Sequence, residues 1–144
     1  MIDYKIVKDF SEFESLSNLL YSQYSYDEKL IEELQKLFIL ENSLYLVAQN
    51  DGKFAGFCSI DRDWWEEDYF FIREIIVDEN FRKQGIGFAM MMQCIEHAKN
   101  KGAVGVVTET AFDNVPMHGL CAKLGFKKWN NQFWKEGVTY KIIF

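Results

Sequence analysis

The chain has 144 residues, 49% of them hydrophobic and 17% aromatic, which suits one domain with a sizeable core and excludes a disordered segment. Its net charge of −6 argues against a nucleic-acid partner, which would want a basic face. No apolar run approaches the roughly 18 residues of a membrane span, and the opening MIDYKIVKDF lacks the basic-then-apolar order of an export signal.

In chain order, Ile2 to Val7 alternates apolar and polar residues and reads as a strand. Phe10 to Tyr24 reads as a helix with Phe10, Phe13, Leu16, Leu19 and Leu20 on one face and Asp9 or Ser11 as its cap. Asp27 to Leu40 is a second helix, carrying Leu30, Ile31, Leu34, Leu37 and Phe38. The polar and aromatic stretch YSQYSYD between them, which holds Tyr24, is either a loop over a binding site or a plain helix connection. Ser43 to Gln49 and Phe54 to Ile60 form a hairpin around Asn50-Asp51-Gly52-Lys53, because Asn, Asp and Gly tolerate positive φ. Cys58, Cys94 and Cys121 are an odd count without zinc spacing, so reduced thiols, no metal and a cytoplasmic setting are expected.

The stretch from Tyr69 to Lys101 organises the rest. Tyr69 to Val77 is aromatic and β-branched, as a strand buried on both faces would be. Arg82-Lys83-Gln84-Gly85-Ile86-Gly87 then opens a helix in which Phe88, Met91, Met92 and Ile95 recur at helical spacing, and Gly102 follows its last turn. A helix N-terminus offers unpaired N–H groups and partial positive charge. Two glycines let a ligand come close, and Arg82 and Lys83 add charge, a combination that suits a pyrophosphate. The third glycine of a dinucleotide fingerprint is missing, since position 90 is Met, and no GxxxxGK[ST] loop is present. Downstream, Ala103 to Thr110 reads as a strand and Asp113-Asn114 opens a short helix with Pro116 in its first turn. Phe126 to Trp134 and Val138 to Phe144 read as two closing strands. The sum is a single α/β domain over residues 1–144.

Two strings carry a resemblance. Arg82-x-x-Gly85-x-Gly87, after a strand ending in Val77-Asp78, resembles the acetyl-CoA signature of the GNAT superfamily of N-acetyltransferases. About 30 residues on, Asn114-x-x-Met117-x-x-Leu120-Cys121-x-Lys123-x-Gly125-Phe126 is similar to that superfamily's second helix and turn. The resemblance is sharp from Ile72 to Phe126 and implies a GNAT-like α/β sandwich, with a central mixed, mostly antiparallel sheet flanked by helices. It also implies acetyl-CoA as co-substrate and direct transfer in a ternary complex. Ile75, Ile76 and Val77 would pair with the pantetheine amides, the main-chain N–H of Val77 or Ile76 facing the thioester oxygen. Residues Arg82, Lys83, Gln84, Gly85, Ile86, Gly87 and Phe88 would hold the phosphates. Asn114 would orient the helix beside the pantetheine, and Lys123 would reach the phosphates; alternatively they are an N-cap and a solvated lysine.

Glu74 interrupts an apolar strand, where a charged group needs a reason, and is the candidate base. Similar polyamine and drug acetyltransferases carry a Glu-Asp pair here; this chain has Arg73-Glu74, which is also consistent with a structural ion pair. Cys121 stands where most relatives have the tyrosine thought to protonate the departing thiolate, so it is the candidate acid, with Tyr140 and Tyr69 as substitutes. A nucleophilic pairing of Cys121 with His118 is the weaker alternative. The loop from Asp61 to Asp68 carries five acids and one base, net −4, around Trp64 and Trp65. Acids and aromatic faces attract cations, so Trp64, Trp65, Glu66, Glu67 and Tyr24 are candidate acceptor-binding residues; the alternative is an exposed turn with the Trp pair as a lid.

The expected activity is acetylation of a small cationic amine: a polyamine, an aminoglycoside-like drug or an amino-acid derivative. A protein N-terminal or lysine acetyltransferase and a non-catalytic acyl-CoA-binding domain are the alternatives. The expected state is monomer or homodimer, without nucleic acid or membrane.

Overall fold

The Asp51-Gly52 pair, with φ values of 51° and 82°, makes the two-residue hairpin that joins β2 (Leu44–Asn50) to β3 (Lys53–Asp61). β1 (Ile2–Ile6) runs antiparallel to β2 at the sheet edge, and β4 (Tyr69–Val77) runs antiparallel to β3. β5 (Gly105–Ala111) joins β4 in parallel, and β6 (Lys127–Trp129) and β7 (Gly137–Ile143) complete the order β1-β2-β3-β4-β5-β7-β6. The computed structural model describes residues 1–144 throughout. The sheet is thus mixed and mostly antiparallel, as expected.

Helices α1 (Phe10–Gln23) and α2 (Glu28–Phe38) bury Phe13, Leu16, Leu20 and Leu34 against Tyr45 and Phe57 on one face of the sheet. Asp9 and Asp27 cap them, accepting from Glu12 N at 2.9 Å and Leu30 N at 2.8 Å. Helices α3 (Ile86–Asn100) and α4 (Val115–Leu124) cover the other face and enclose the larger core, including Phe70, Ile72, Met90, Met91, Cys94 and Val106.

Three expectations need correction. The buried stripe of α3 is Ile86, Gly87, Met90, Met91, Cys94, Ile95 and Ala98, while Phe88 is half-buried and Met92 exposed. Gly87 explains the offset: a Cβ there would stand 3.1 Å from Leu120 Cδ1, so the helix turns its bare side to α4. Phe10 is exposed at the start of α1. The strand expected to reach Trp134 stops at Trp129, because buried Asn131 leaves the ladder. Its amide donates to Thr139 Oγ1 at 3.2 Å and Glu109 Oε2 at 3.3 Å, and its Oδ1 accepts from Phe133 N at 2.9 Å.

A bulge in β4 positions the site. Ser59 pairs with Glu74 and Ile60 with Ile72, so Arg73 is an extra residue on its strand. Before it, Phe70 and Ile72 face the α3–α4 core; after it, Ile75 and Val77 do so. Ile76 faces the α1–α2 side, and Glu74 reaches Tyr26 there. An even spacing has become odd. One inserted residue therefore turns Glu74 away from the main core.

Candidate active site

β4 loses its second neighbour halfway along. It pairs with β5 only from Tyr69 to Ile72, whereas its pairing with β3 runs on to Val77. Beyond Ile72 the far edge of β4 is open to a groove of about 1120 Å³. The α1–α2 connection, the end of β4, the start of α3 and the first turns of α4 line that groove. Which main-chain groups face it follows from alternation along the strand. Asp78 N donates to Ala55 O at 2.8 Å, and a Cβ on Gly56 would come within 2.8 Å of Ile76 O. Asp78 and Ile76 therefore point at β3, and the N–H and C=O of Ile75 and Val77 point into the groove. Of the two amides proposed to face a thioester, the Ile76 N–H is turned the wrong way.

Past β4 the chain makes a short 3-10 turn, Glu79–Phe81, capped by Asp78, whose carboxylate accepts from Asn80 N at 2.9 Å. Lys83 and Gly85 then take φ values of 64° and 77°. Gly85 is the N-cap of α3, and no side chain caps that end. A Cβ on Gly85 would meet nothing within 4 Å, so glycine is required there by φ alone and the space beyond is open. The first-turn N–H groups of α3, with Arg82 and Lys83 beside them on the groove wall, present unpaired donors and positive charge to the groove.

Two tyrosines of the α1–α2 connection reach carboxylates, one on β4 and one just past its end. Tyr26 OH donates to Glu74 Oε1 at 2.7 Å, and Tyr24 OH donates to Asp78 Oδ2. Burial pushes the Glu74 carboxyl up from its ordinary value; the Tyr26 bond and the Arg73 charge pull it back, and Glu33 adds to the rise. The bond from Tyr24 holds Asp78 below the usual carboxylate range, and burial with Asp78 beside it pushes the Tyr24 phenol up to about 12. Arg73 is not free for a ligand. Its Nε donates to Asp61 Oδ2 at 2.8 Å, and its second nitrogen to Asp61 Oδ1 at 3.0 Å and Asp63 O at 2.9 Å.

The groove thus brings together Tyr24, Glu74, Ile75, Ile76, Val77, Arg82, Lys83, Gly85, Ile86, Gly87, Phe88 and Asn114. Gln84 is exposed outside its lining. Asn114 caps α4, its Oδ1 accepting from Met117 N at 3.4 Å. The Lys123 ammonium sits over the Phe88 ring, 5.4 Å from its centroid, tying α4 to α3. Cys121 is fully buried in the main core, and burial pushes its thiol up to about 12. His118 does not pair with Cys121. Its Nε2 faces the carbonyls of Ala111 and Phe112 at 3.0 and 3.1 Å, so it carries the proton, and Nδ1 accepts from Tyr140 OH at 2.7 Å.

The tryptophan loop lies outside the groove. Trp64 packs on Phe71 with ring centroids 5.1 Å apart, and Trp65 packs against Trp129 and Phe133, each at 5.6 Å. Glu66 pairs with Lys141, whose ammonium lies 3.8 Å from the Trp129 ring centroid. Glu67 is exposed. Sequence reasoning missed Tyr26 and Glu109 as single residues. Glu109 is a half-buried acid on β5, raised by burial and held by Thr139 and Asn131. It interrupts GVVTETA as Glu74 interrupts its own strand, and that signal was available.

The family profile described as Acetyltransferase (GNAT) family matches residues 9–126. A Bacillus subtilis protein named for acetylating the alanine of ribosomal protein bS18 is 33% identical over 91 residues, 62% of this chain and 58% of that protein. The chain spans between 39% and 58% of the length of three curated relatives it matches. Among solved structures, a GNAT-family acetyltransferase of Staphylococcus aureus Mu50 superposes with a TM-score of 0.78 at 16% identity, covering 98% of each chain. The PaiA N-acetyltransferase of Thermoplasma acidophilum, in complex with coenzyme A, gives 0.72 at 15% identity over 100% of this chain and 99% of that one.

Proposed function

Because the chain belongs to the GNAT family of acetyltransferases, we propose that it transfers acetyl from acetyl-CoA to an amine by direct attack in a ternary complex. The observation that carries this reading is the open edge of β4 running straight into the uncapped N-terminus of α3. The pantetheine amides add to Ile75 and Val77 as a partial strand, which supplies main-chain hydrogen bonds on one side only. The pyrophosphate meets the first-turn N–H groups of α3, with Arg82 and Lys83 neutralising its charge. The Val77 N–H faces the thioester oxygen, where one donor is worth about 3 kcal/mol as negative charge develops.

An alkyl ammonium has a pKa near ~10 and is not a nucleophile until it loses a proton. Glu74, at the acceptor end of the groove, takes that proton. The neutral amine attacks the carbonyl carbon, the tetrahedral intermediate collapses with CoA leaving as a thiolate, and the second proton released from the nitrogen passes to that thiolate or to solvent. A thiol of ordinary pKa ~8.5 is a good leaving group unaided. Cys121, buried outside the groove lining with its thiol pushed up to about 12, is a weaker acid than the CoA thiol and is assigned no proton in this reading.

Glu74, Asp78 and Glu79 line the groove, so a small cationic amine is the acceptor class. Glu67 and Trp65, outside the groove, take no part in this reading. The name of the Bacillus relative favours a second reading, a protein α-amine. The test is thiol release from acetyl-CoA against polyamines, aminoglycosides, amino-acid amides and peptides beginning with alanine, with the no-acceptor blank subtracted. Release with small polycations supports the first reading and release with the peptides the second. Silence on all of them, with acetyl-CoA still raising the melting temperature, reduces the protein to a CoA-binding domain.

A further inference from the structure

Ser59 on β3 carries a fully buried hydroxyl that no protein group donates to or accepts from. A buried hydroxyl in that state calls for a partner. Ser17 and Thr110 share the condition, but Ser17 sits within α1 and Thr110 on β5, away from Glu74 in the register. Ser59 is different because of its neighbours. The register places Tyr45, Ser59 and Glu74 side by side across β2, β3 and β4. The row lies on the face covered by α1 and α2, where Tyr45 packs and Glu74 meets Tyr26. Tyr45 OH is committed to Leu34 O at 2.6 Å. Glu74 receives Tyr26 on one oxygen, and no protein donor reaches the other. Directly opposed residues of an antiparallel pair hold their Cβ atoms about 4.5–5.5 Å apart. That separation leaves a serine hydroxyl short of a direct bond to the carboxylate and suits one bridging water.

We infer that Ser59 Oγ and the second carboxylate oxygen of Glu74 hold a single buried water, which makes Ser59 a positioning residue for the base. Tyr26 fixes one oxygen of Glu74 and the Ser59-held water fixes the other, so the carboxylate is presented to the groove in one orientation. The water donates to the ionised carboxylate and accepts from Ser59, so it favours the charged form that accepts the ammonium proton. The titratable and charged groups around Glu74 on this face are Arg73 on its own strand, Glu33 on α2, Tyr26 on the connection and Tyr45 on β2. Arg73 and Tyr26 already favour the ionised form and Glu33 opposes it. Ser59 adds to the first group.

The inference rests on Glu74 being the base, yet it is tested without turnover. In the protein labelled with carbon-13 at the glutamate side-chain carboxyls, Glu74→Gln identifies the Glu74 resonance. Titration then compares wild type with Ser59→Ala, after a melt has shown that the variant is folded. Loss of the water raises the Glu74 midpoint by roughly half a pH unit or more. An unchanged midpoint overturns the inference. A crystal structure of the wild-type protein supplies an independent reading. Density for one water within hydrogen-bond distance of Ser59 Oγ and Glu74 supports the site; Ser59 Oγ bonded instead to a main-chain carbonyl overturns it. Unchanged pH–rate behaviour in Glu74→Gln would remove the base while leaving the water site standing, so the two failures are distinct.

Discussion

Glu74 is raised by burial, and that has consequences for rate and for stability. For rate, the proposal that Glu74 is the base requires its ionised carboxylate, so turnover is expected to rise through the Glu74 midpoint. Glu74→Gln loses about 100-fold at neutral pH. The loss shrinks toward pH ~10, where the amine is neutral without help. A pH–rate profile with the same shape in both proteins would remove Glu74 from the reaction. For stability the sign runs the other way. A carboxyl raised in the folded state favours folding below its unfolded pKa, and that contribution is lost as pH rises through the folded value. Glu74→Gln therefore melts higher than wild type at pH 8, and the difference fades as the pH falls toward 4. Cys121 makes a separate test. If its thiol only packs the core, Cys121→Ser keeps turnover within about threefold while lowering the melting temperature, because a hydroxyl replaces a buried thiol. A loss of tenfold or more with acetyl-CoA binding intact would instead make it the proton donor.

At the scale of elements, the bulge in β4 decides which way its chemistry faces. It is held by Asp61, whose fully buried carboxylate bonds Arg73 through two oxygens and also accepts from Asp63 N at 2.9 Å. Asp61→Asn leaves Arg73 half-buried beside a neutral amide and costs about 3 kcal/mol of stability, a fall of several degrees in melting temperature. A melt within 1–2 °C of wild type would show that the pair is not what anchors the bulge. Most elements were legible in the residues because each has a local signal: Asp9 as one of two candidate caps of α1, Asp51-Gly52 as the hairpin, Gly85 and Gly102 at the ends of α3. The bulge had none. A strand read as apolar on both faces gives no alternation from which a slip could be noticed. The parting of β4 from β5 was equally invisible, since it depends on which strands neighbour each other. The early end of β6 followed from Asn131, a polar residue whose partners Glu109 and Thr139 come from two other strands. The α3 stripe was misplaced because a glycine was not counted as a packing face.

For the whole molecule, in the proposed reading, the groove divides its ligands by charge. In that reading Arg82, Lys83 and the uncapped helix take the phosphates, and Glu74, back along β4, takes the amine. A chain of net charge −6 needs such a local cationic end to hold a polyanionic cofactor. The candidate site was legible in the two spaced strings from Arg82 to Gly87 and from Asn114 to Phe126. They mark backbone that must come close to a ligand, and such positions tolerate few residue types. The acceptor end was less legible. It is assembled from the α1–α2 connection and one outgoing strand, and the tryptophan loop, with its high charge, drew attention to a lid packed on Trp129 and Phe133. Calorimetric titration of acetyl-CoA into wild-type protein and Gly85→Glu tests the cofactor groove most directly. Saturable one-to-one binding by wild type, lost in a variant that still melts cooperatively, is the expected result. Equal binding by both proteins, or none by wild type, would contradict it.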